Sequence, residues 1–88
     1  MPQKLLHLSL EKNEIQAIYT TELEQIRNTL KTLNLKGNQL QSIQALSICT
    51  QLKDLNLAHN FIGDTMFTST IQSLKKLRKL DITANKLQ

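Results

Sequence analysis

Three groups of side chains in this 88-residue chain are of types that could do chemistry. His7, His59 and Cys49 are residue types that ligate zinc. Asp54 and Asp81 could form a carboxylate pair with a water between them. Lys31, Lys36, Lys53, Arg78 and Lys79 could hold the carboxylates or phosphates of a partner. Which of these can act together depends on the elements that carry them.

Those elements repeat. The spacing Leu5-x-x-Leu8-x-Leu10-x-x-Asn13-x-Ile15 returns as Leu30, Leu33, Leu35, Asn38, Leu40, then as Leu52, Leu55, Leu57, Asn60, Ile62, and last as Leu77, Leu80, Ile82, Asn85, Leu87. The Asn-to-Asn steps are 25, 22 and 25 residues. Leu and Ile supply 17 and 8 residues, while Val is absent and aromatics make up 3%. One packing unit, used four times, accounts for that bias. Residues 1–88 therefore form a single domain with repeats starting near 5, 30, 52 and 77, too short for a second core.

On these residues the chain resembles the leucine-rich repeat proteins. The 22-residue step with Asn38-x-Leu40-x-x-Ile43-x-x-Leu46 is similar to an intracellular class that includes the leucine-rich regulatory subunit of protein phosphatase 1, spliceosomal A-prime proteins and axonemal dynein light chains. Asn13-x-Ile15-x-x-Ile18 begins in the same way and then runs three residues longer. The resemblance implies a non-catalytic module that binds other proteins on its concave face.

Physically, each Leu-x-Leu pair reads as a short strand with alternate residues pointing inward, and successive copies stack in parallel about 4.8 Å apart. The expected fold is α/β: a right-handed solenoid with four short parallel strands on the concave face and helical or irregular segments on the convex side. Asn13, Asn38, Asn60 and Asn85 are expected to be buried at the turn after each strand, forming a structural ladder whose amides bond to backbone. Thr21-x-x-Glu24 reads as a capping box ahead of Leu23, Ile26 and Leu30, and Asp64 as a cap ahead of Phe67, Ile71 and Leu74. The two 25-residue steps then hold about two turns of helix each, and the 22-residue step a short turn around Ser42 to Ser47. The terminal repeats are expected to be uncapped, so the chain reads as a piece of a longer array or as one whose ends another chain covers.

In that frame most of the chemistry disappears. His7 and His59 fall two copies and five strand positions apart, roughly 10 Å by 16 Å, too far to share a zinc ion, and Cys49 lies on an outer segment. No metal or other cofactor is expected. Asp54 and Asp81 sit about 8 Å apart on an open face beside Lys53, Arg78 and Lys79, with no pocket to raise a pKa. Gly37 and Gly63 stand alone, without a glycine-rich phosphate loop. The sequence reads as no enzyme.

The concave positions that vary between copies carry Lys12, Lys31, Lys36, Lys53, Arg78 and Lys79 against Glu11, Asp54 and Asp81, most of the net +4 of the chain. Lys31, Lys53 and Arg78 occupy one position in successive copies and should form a column; Ser9, Asn34, Asn56 and Asp81 form a polar column beside it. Tyr19, Phe61 and Phe67 all fall off the strands, so the stacking platform of a single-strand nucleic-acid binder is missing, which argues against direct nucleic-acid recognition. The expected function is that of an adaptor or scaffold that docks an acidic protein segment through Lys31, Asn34, Lys36, Lys53, Asn56, Arg78, Lys79 and Asp81. The alternative is a structural subunit of a large axonemal or ribonucleoprotein assembly, held through its ends and convex side by Leu5, Leu6, Phe67 and Leu87. One cysteine, no Asn-x-Ser/Thr site, and no apolar run at Met1-Pro2-Gln3-Lys4 point to a reduced cytoplasmic setting, with nuclear or cytoskeletal placement as variants, and away from a membrane.

Overall fold

Inward Leu or Ile residues two apart in each copy produce a strand of only three residues, because the chain must turn at the Asn three positions beyond the second. The computed structural model describes residues 5–63 and 66–86. Its strands are β1 (His7–Ser9), β2 (Thr32–Asn34), β3 (Asp54–Asn56) and β4 (Lys79–Asp81). They form one parallel sheet in the order β1-β2-β3-β4. Leu8, Leu33, Leu55 and Leu80 stand in register at its centre. His7, Thr32, Asp54 and Lys79 form the row before them, and Ser9, Asn34, Asn56 and Asp81 the row after. This is the solenoid the repeats call for.

The outer segments differ from one another. The first holds α1 (Thr20–Leu23), a single turn where two were expected. The proposed cap at Thr21 and Glu24 is not used: the Tyr19 N–H donates to Glu22 Oε1 at 3.1 Å, so the helix starts two residues earlier. Glu24 instead pairs with Arg27 at 3.5 Å on the surface. Beyond Leu23 the Ile26 and Thr29 amides reach back three residues, to Leu23 and Ile26, and the Leu30 amide reaches back four, to Ile26, so tight turns closed by a single α-type bond stand where a second helical turn was expected. Leu23 and Leu30 are still buried and Ile26 half-buried, so the apolar face lies where the spacing placed it. The second connection holds a 3-10 helix (Gln44–Ile48), matching the short turn expected there. The third holds α2 (Phe67–Ser73), two turns that pack Phe67, Ile71 and Leu74 inward together with a buried Thr70. Met66 is its N-cap; Asp64 and Leu87 lie outside the described residues. Phe67 packs against the core and is not the exposed contact anticipated for it.

The core is concentrated in the middle of the stack. Leu30, Leu40, Ile43, Leu46, Leu52, Leu57 and Ile62 are 0% exposed, whereas Leu8, Leu10, Ile15, Leu80 and Ile82 are only partly buried. Each repeat closes off its neighbours, so those with neighbours on both sides are the dry ones.

One backbone feature repeats with the sequence. Lys12, Gly37, His59 and Ala84, each just before a ladder Asn, have φ of 60°, 75°, 58° and 58°. The left-handed turn aims three of these amides at the next repeat: Lys12 N–H to the Lys36 carbonyl, Gly37 N–H to Ala58 and His59 N–H to Thr83, at 2.8 to 2.9 Å. Only one of the four positions is filled by glycine, so three carry the steric cost of a side chain at positive φ.

Candidate partner-binding face

The turn that follows each strand is fixed by two sets of side chains, and together they leave the sheet face open. In the ladder set, Asn38 Oδ1 accepts from the Asn13 and Ile15 amides, and its Nδ2 donates to the Leu10 and Leu35 carbonyls. Asn60 accepts from the Leu40 amide and donates to the Leu35, Leu57 and Ala58 carbonyls. Asn85 accepts from the Ile62 amide and donates to Leu57, Ile82 and Thr83. Each of these three ties its own turn to the preceding repeat. Asn13 differs: it is exposed, and among the described residues its side-chain amide donates only to the nearby Glu11 carbonyl, so burial of all four ladder residues does not hold.

The second set lies on the sheet face and was not anticipated. Asn34, Asn56 and Asp81 each accept, through Oδ1, the amide N–H two residues on, from Lys36, Ala58 and Thr83, all at 3.0 Å. The polar column is thus partly committed to its own backbone. The signal was readable as an Asn or Asp three residues before Gly37, His59 and Ala84, since a short side-chain oxygen can close such a turn. Asp81 also accepts from the Thr83 hydroxyl at 2.8 Å. The Thr83 amide, then its hydroxyl, hold the Asp81 carboxyl below the ordinary aspartate range, and the charges of Lys36 and His59 add to this.

Between these turns and the strand entrances lies an open hollow of about 500 Å³ over the sheet, lined by the rows from His7 to Lys79 and from Ser9 to Asp81. At one end the His7 ring and the Thr32 hydroxyl meet at 2.6 Å. Asp54 lies near the middle, and its Oδ1 is closed off from solvent without a hydrogen-bond partner among the described residues. Of the eight residues expected to meet a partner, Asn34, Asn56, Lys79 and Asp81 line the hollow; Lys31, Lys36, Lys53 and Arg78 do not. Of the six cations assigned to the concave face, only Lys79 lines it, beside Asp54 and Asp81. The floor is therefore not basic.

The positive charge runs instead along the rim where the chain enters the strands. Backbone bonds fix the column: the Lys31 amide donates to the Leu6 carbonyl at 2.7 Å, Lys53 to Lys31 at 2.8 Å and Arg78 to Lys53 at 2.7 Å. None of Lys31, Lys53 and Arg78 has a carboxylate within ion-pair distance among the described residues. No group of three or more His, Cys, Asp or Glu among the described residues is placed to hold a metal ion. Cys49 is fully buried, and that burial pushes its thiol pKa up, against a smaller opposite effect of Arg27.

The stacked register, the Asn ladder and the sequence comparisons agree. Residues 28–68 match the family described as leucine-rich repeats in two copies. Mouse podocan is 39% identical over 64 residues, which cover 68% of this chain and 10% of podocan. Leucine-rich repeat-containing G-protein coupled receptor 5 of rat is 34% identical over 80 residues, 91% of this chain and 9% of the receptor. Residues 28–68 of this chain are leucine-rich repeats. The chain spans about a tenth of the length of these curated relatives. An internalin (inlF) of Listeria monocytogenes superposes with a TM-score of 0.69 over 96% of this chain and 29% of the internalin, at 22% identity, which shows a shared fold. Among the described residues, no helix of this chain is long and apolar enough to cross a membrane.

Proposed function

We propose that this chain is a non-catalytic adaptor or scaffold that docks an acidic segment of another protein across its concave face. The observation that carries this reading is the column Lys31, Lys53 and Arg78, held in register by backbone bonds and without carboxylate partners among the described residues. Like charges about 5 Å apart repel mildly, and a row of partner carboxylates relieves that repulsion. The partner's acidic residues then lie along this rim, and Lys36, in the turn after β2, offers a charge at the opposite edge of the sheet. Over the hollow, the Asn56 side-chain amide, which has no acceptor among the described residues, offers a hydrogen bond, and Lys79 a further charge. A reduced, cytoplasmic setting is part of this proposal, and the buried, unpaired Cys49 is compatible with it.

The test replaces Lys31, Lys53 and Arg78 by Glu and compares the variant with the parent in pull-downs from native lysate, washed at low and high salt. All three side chains lie on the rim, so circular dichroism should be unchanged. Proteins held by the parent should be lost from the variant and released from the parent by salt, because exposed charge contacts are screened within about 8 Å at physiological ionic strength. Unchanged capture by the triple variant would sink the reading.

A second reading has its own observation. An apolar hollow of about 290 Å³ opens at the first repeat, between Leu8, Leu10, Ile15, Ile18, Ile26 and Leu46, and Leu6 is 41% exposed. Such a surface suits a structural segment packed into a larger assembly, as the resemblance to axonemal and ribonucleoprotein repeats implies. Capture that survives high salt and the triple variant favours this one.

A further inference from the structure

Tyr19 and Phe61 are the exposed members of the chain's three aromatic residues, at 61% and 46%, while Phe67 packs on the core. Both lie on the segments that follow the ladder turns, a flank that shares no lining residue with the concave hollow. Two open depressions cover this flank, one running from Tyr19 to Gln44 and the other from Phe61 to Lys86, and Gln41 lines both, so they form one surface. Among the described residues, Lys86 is the only charged one lining either depression. Its Nζ sits over the Phe61 ring, 5.5 Å from the centroid, which holds the ammonium in place, and no carboxylate pairs with it among the described residues. The side-chain amides of Gln41 and Gln44 and the Tyr19 hydroxyl likewise have no hydrogen-bond partner among the described residues.

We propose that this flank docks an extended, acidic polypeptide segment. Tyr19 and Phe61 are rigid amphipathic anchors of the kind that dominate protein interfaces. The free amides of Gln41 and Gln44 each present a donor and an acceptor, the pair that a peptide backbone requires. Lys86, positioned by Phe61, takes a carboxylate of the segment. Among the described lining residues Lys86 is a single cation, which suits a peptide carboxylate and is too sparse for a phosphate backbone. The surface runs from the first repeat to the fourth, three strand spacings or about 14 Å, so an extended segment needs at least about five residues to cover it. This inference is independent of the concave-face reading, since the two surfaces have no residue in common.

Selection of a random dodecapeptide library on the whole 88-residue chain tests it. The expected result is enrichment of peptides with Asp or Glu next to apolar side chains. Synthetic copies should bind on the order of tenfold more weakly to the Tyr19→Ser, Phe61→Ser double variant. They should also bind more weakly to Lys86→Gln, which removes one exposed charge and leaves the core intact. Binding should be unchanged in the Lys31→Glu, Lys53→Glu, Arg78→Glu variant. Peptides released by that triple variant but held by both flank variants would overturn the proposal while supporting the concave face. Failure to enrich any peptide sensitive to Lys86→Gln would overturn it as well.

Discussion

The first and third repeats carry the same motif and have different physics. In the third, Leu52 and Leu57 are fully buried and Asn60 is hydrogen-bonded through both side-chain atoms to backbone of two repeats. In the first, Leu8 and Leu10 are only partly buried and Asn13 donates one bond to its own turn. The motif specifies where a residue points, and the neighbours decide how much that is worth. A short parallel strand has little stability of its own, so in a stack the energy lives in the contacts between repeats.

Matched substitutions in the two repeats can break this contrast, and the core pair should show it most strongly. Leu57→Ala deletes a side chain packed on all sides and should cost about 2–5 kcal/mol in urea unfolding, against about 1 kcal/mol for the equivalent Leu10→Ala. Equal losses would mean that the first repeat is as well covered as the third. The ladder comes next. Asn60→Ala leaves the buried Leu40 amide without its side-chain partner, strips one of two side-chain donors from the Leu57 carbonyl and should cost about 2–3 kcal/mol, while Asn13→Ala should stay within about 0.5 kcal/mol.

The turn positions sharpen the comparison at smaller scale. Gly37→Ala forces a side chain into φ +75° and brings its Cβ to 3.1 Å from Lys12 Cγ, for an expected loss of about 1–2 kcal/mol. Ala84→Gly relieves the same backbone strain at φ 58° and should be neutral or stabilising by less than about 1 kcal/mol. A destabilised Ala84→Gly would show that the methyl group contributes packing that outweighs the strain.

The architecture was legible because its signal is periodic. Leu8, Leu33, Leu55 and Leu80 announce an inward position four times over, and the sheet places them in register. The outer segments were less legible because nothing repeats there: Thr21 and Glu24 have the spacing of a capping box, yet Tyr19 and Glu22 form it two residues earlier. Face chemistry was legible by column and misread by surface. Counting Lys31, Lys36 and Lys53 with Lys79 treats rim and floor as one, whereas only Lys79 reaches the floor, beside Asp54 and Asp81. Strand alternation says which side chains leave the core, but it does not say which of them stand at the strand entrance and which over the sheet. The local bonds of Asn34, Asn56 and Asp81 were hidden for a related reason, since they depend on a turn whose sharpness is a backbone property.

The central claim is that the inner repeats form the rigid platform that carries both the concave face and the flank. Native-state hydrogen exchange of the backbone amides tests it most directly, residue by residue. Slowest exchange is expected at Leu35, Leu40 and Leu57, whose amides bond to the Asn56 carbonyl, Asn60 Oδ1 and the Asp81 carbonyl. Faster exchange is expected at Asn13 and Ile15, although both amides bond to Asn38 Oδ1, because the first repeat opens locally. Equal protection of Leu40 and Ile15, or slower exchange in the first repeat than in the third, would contradict the account.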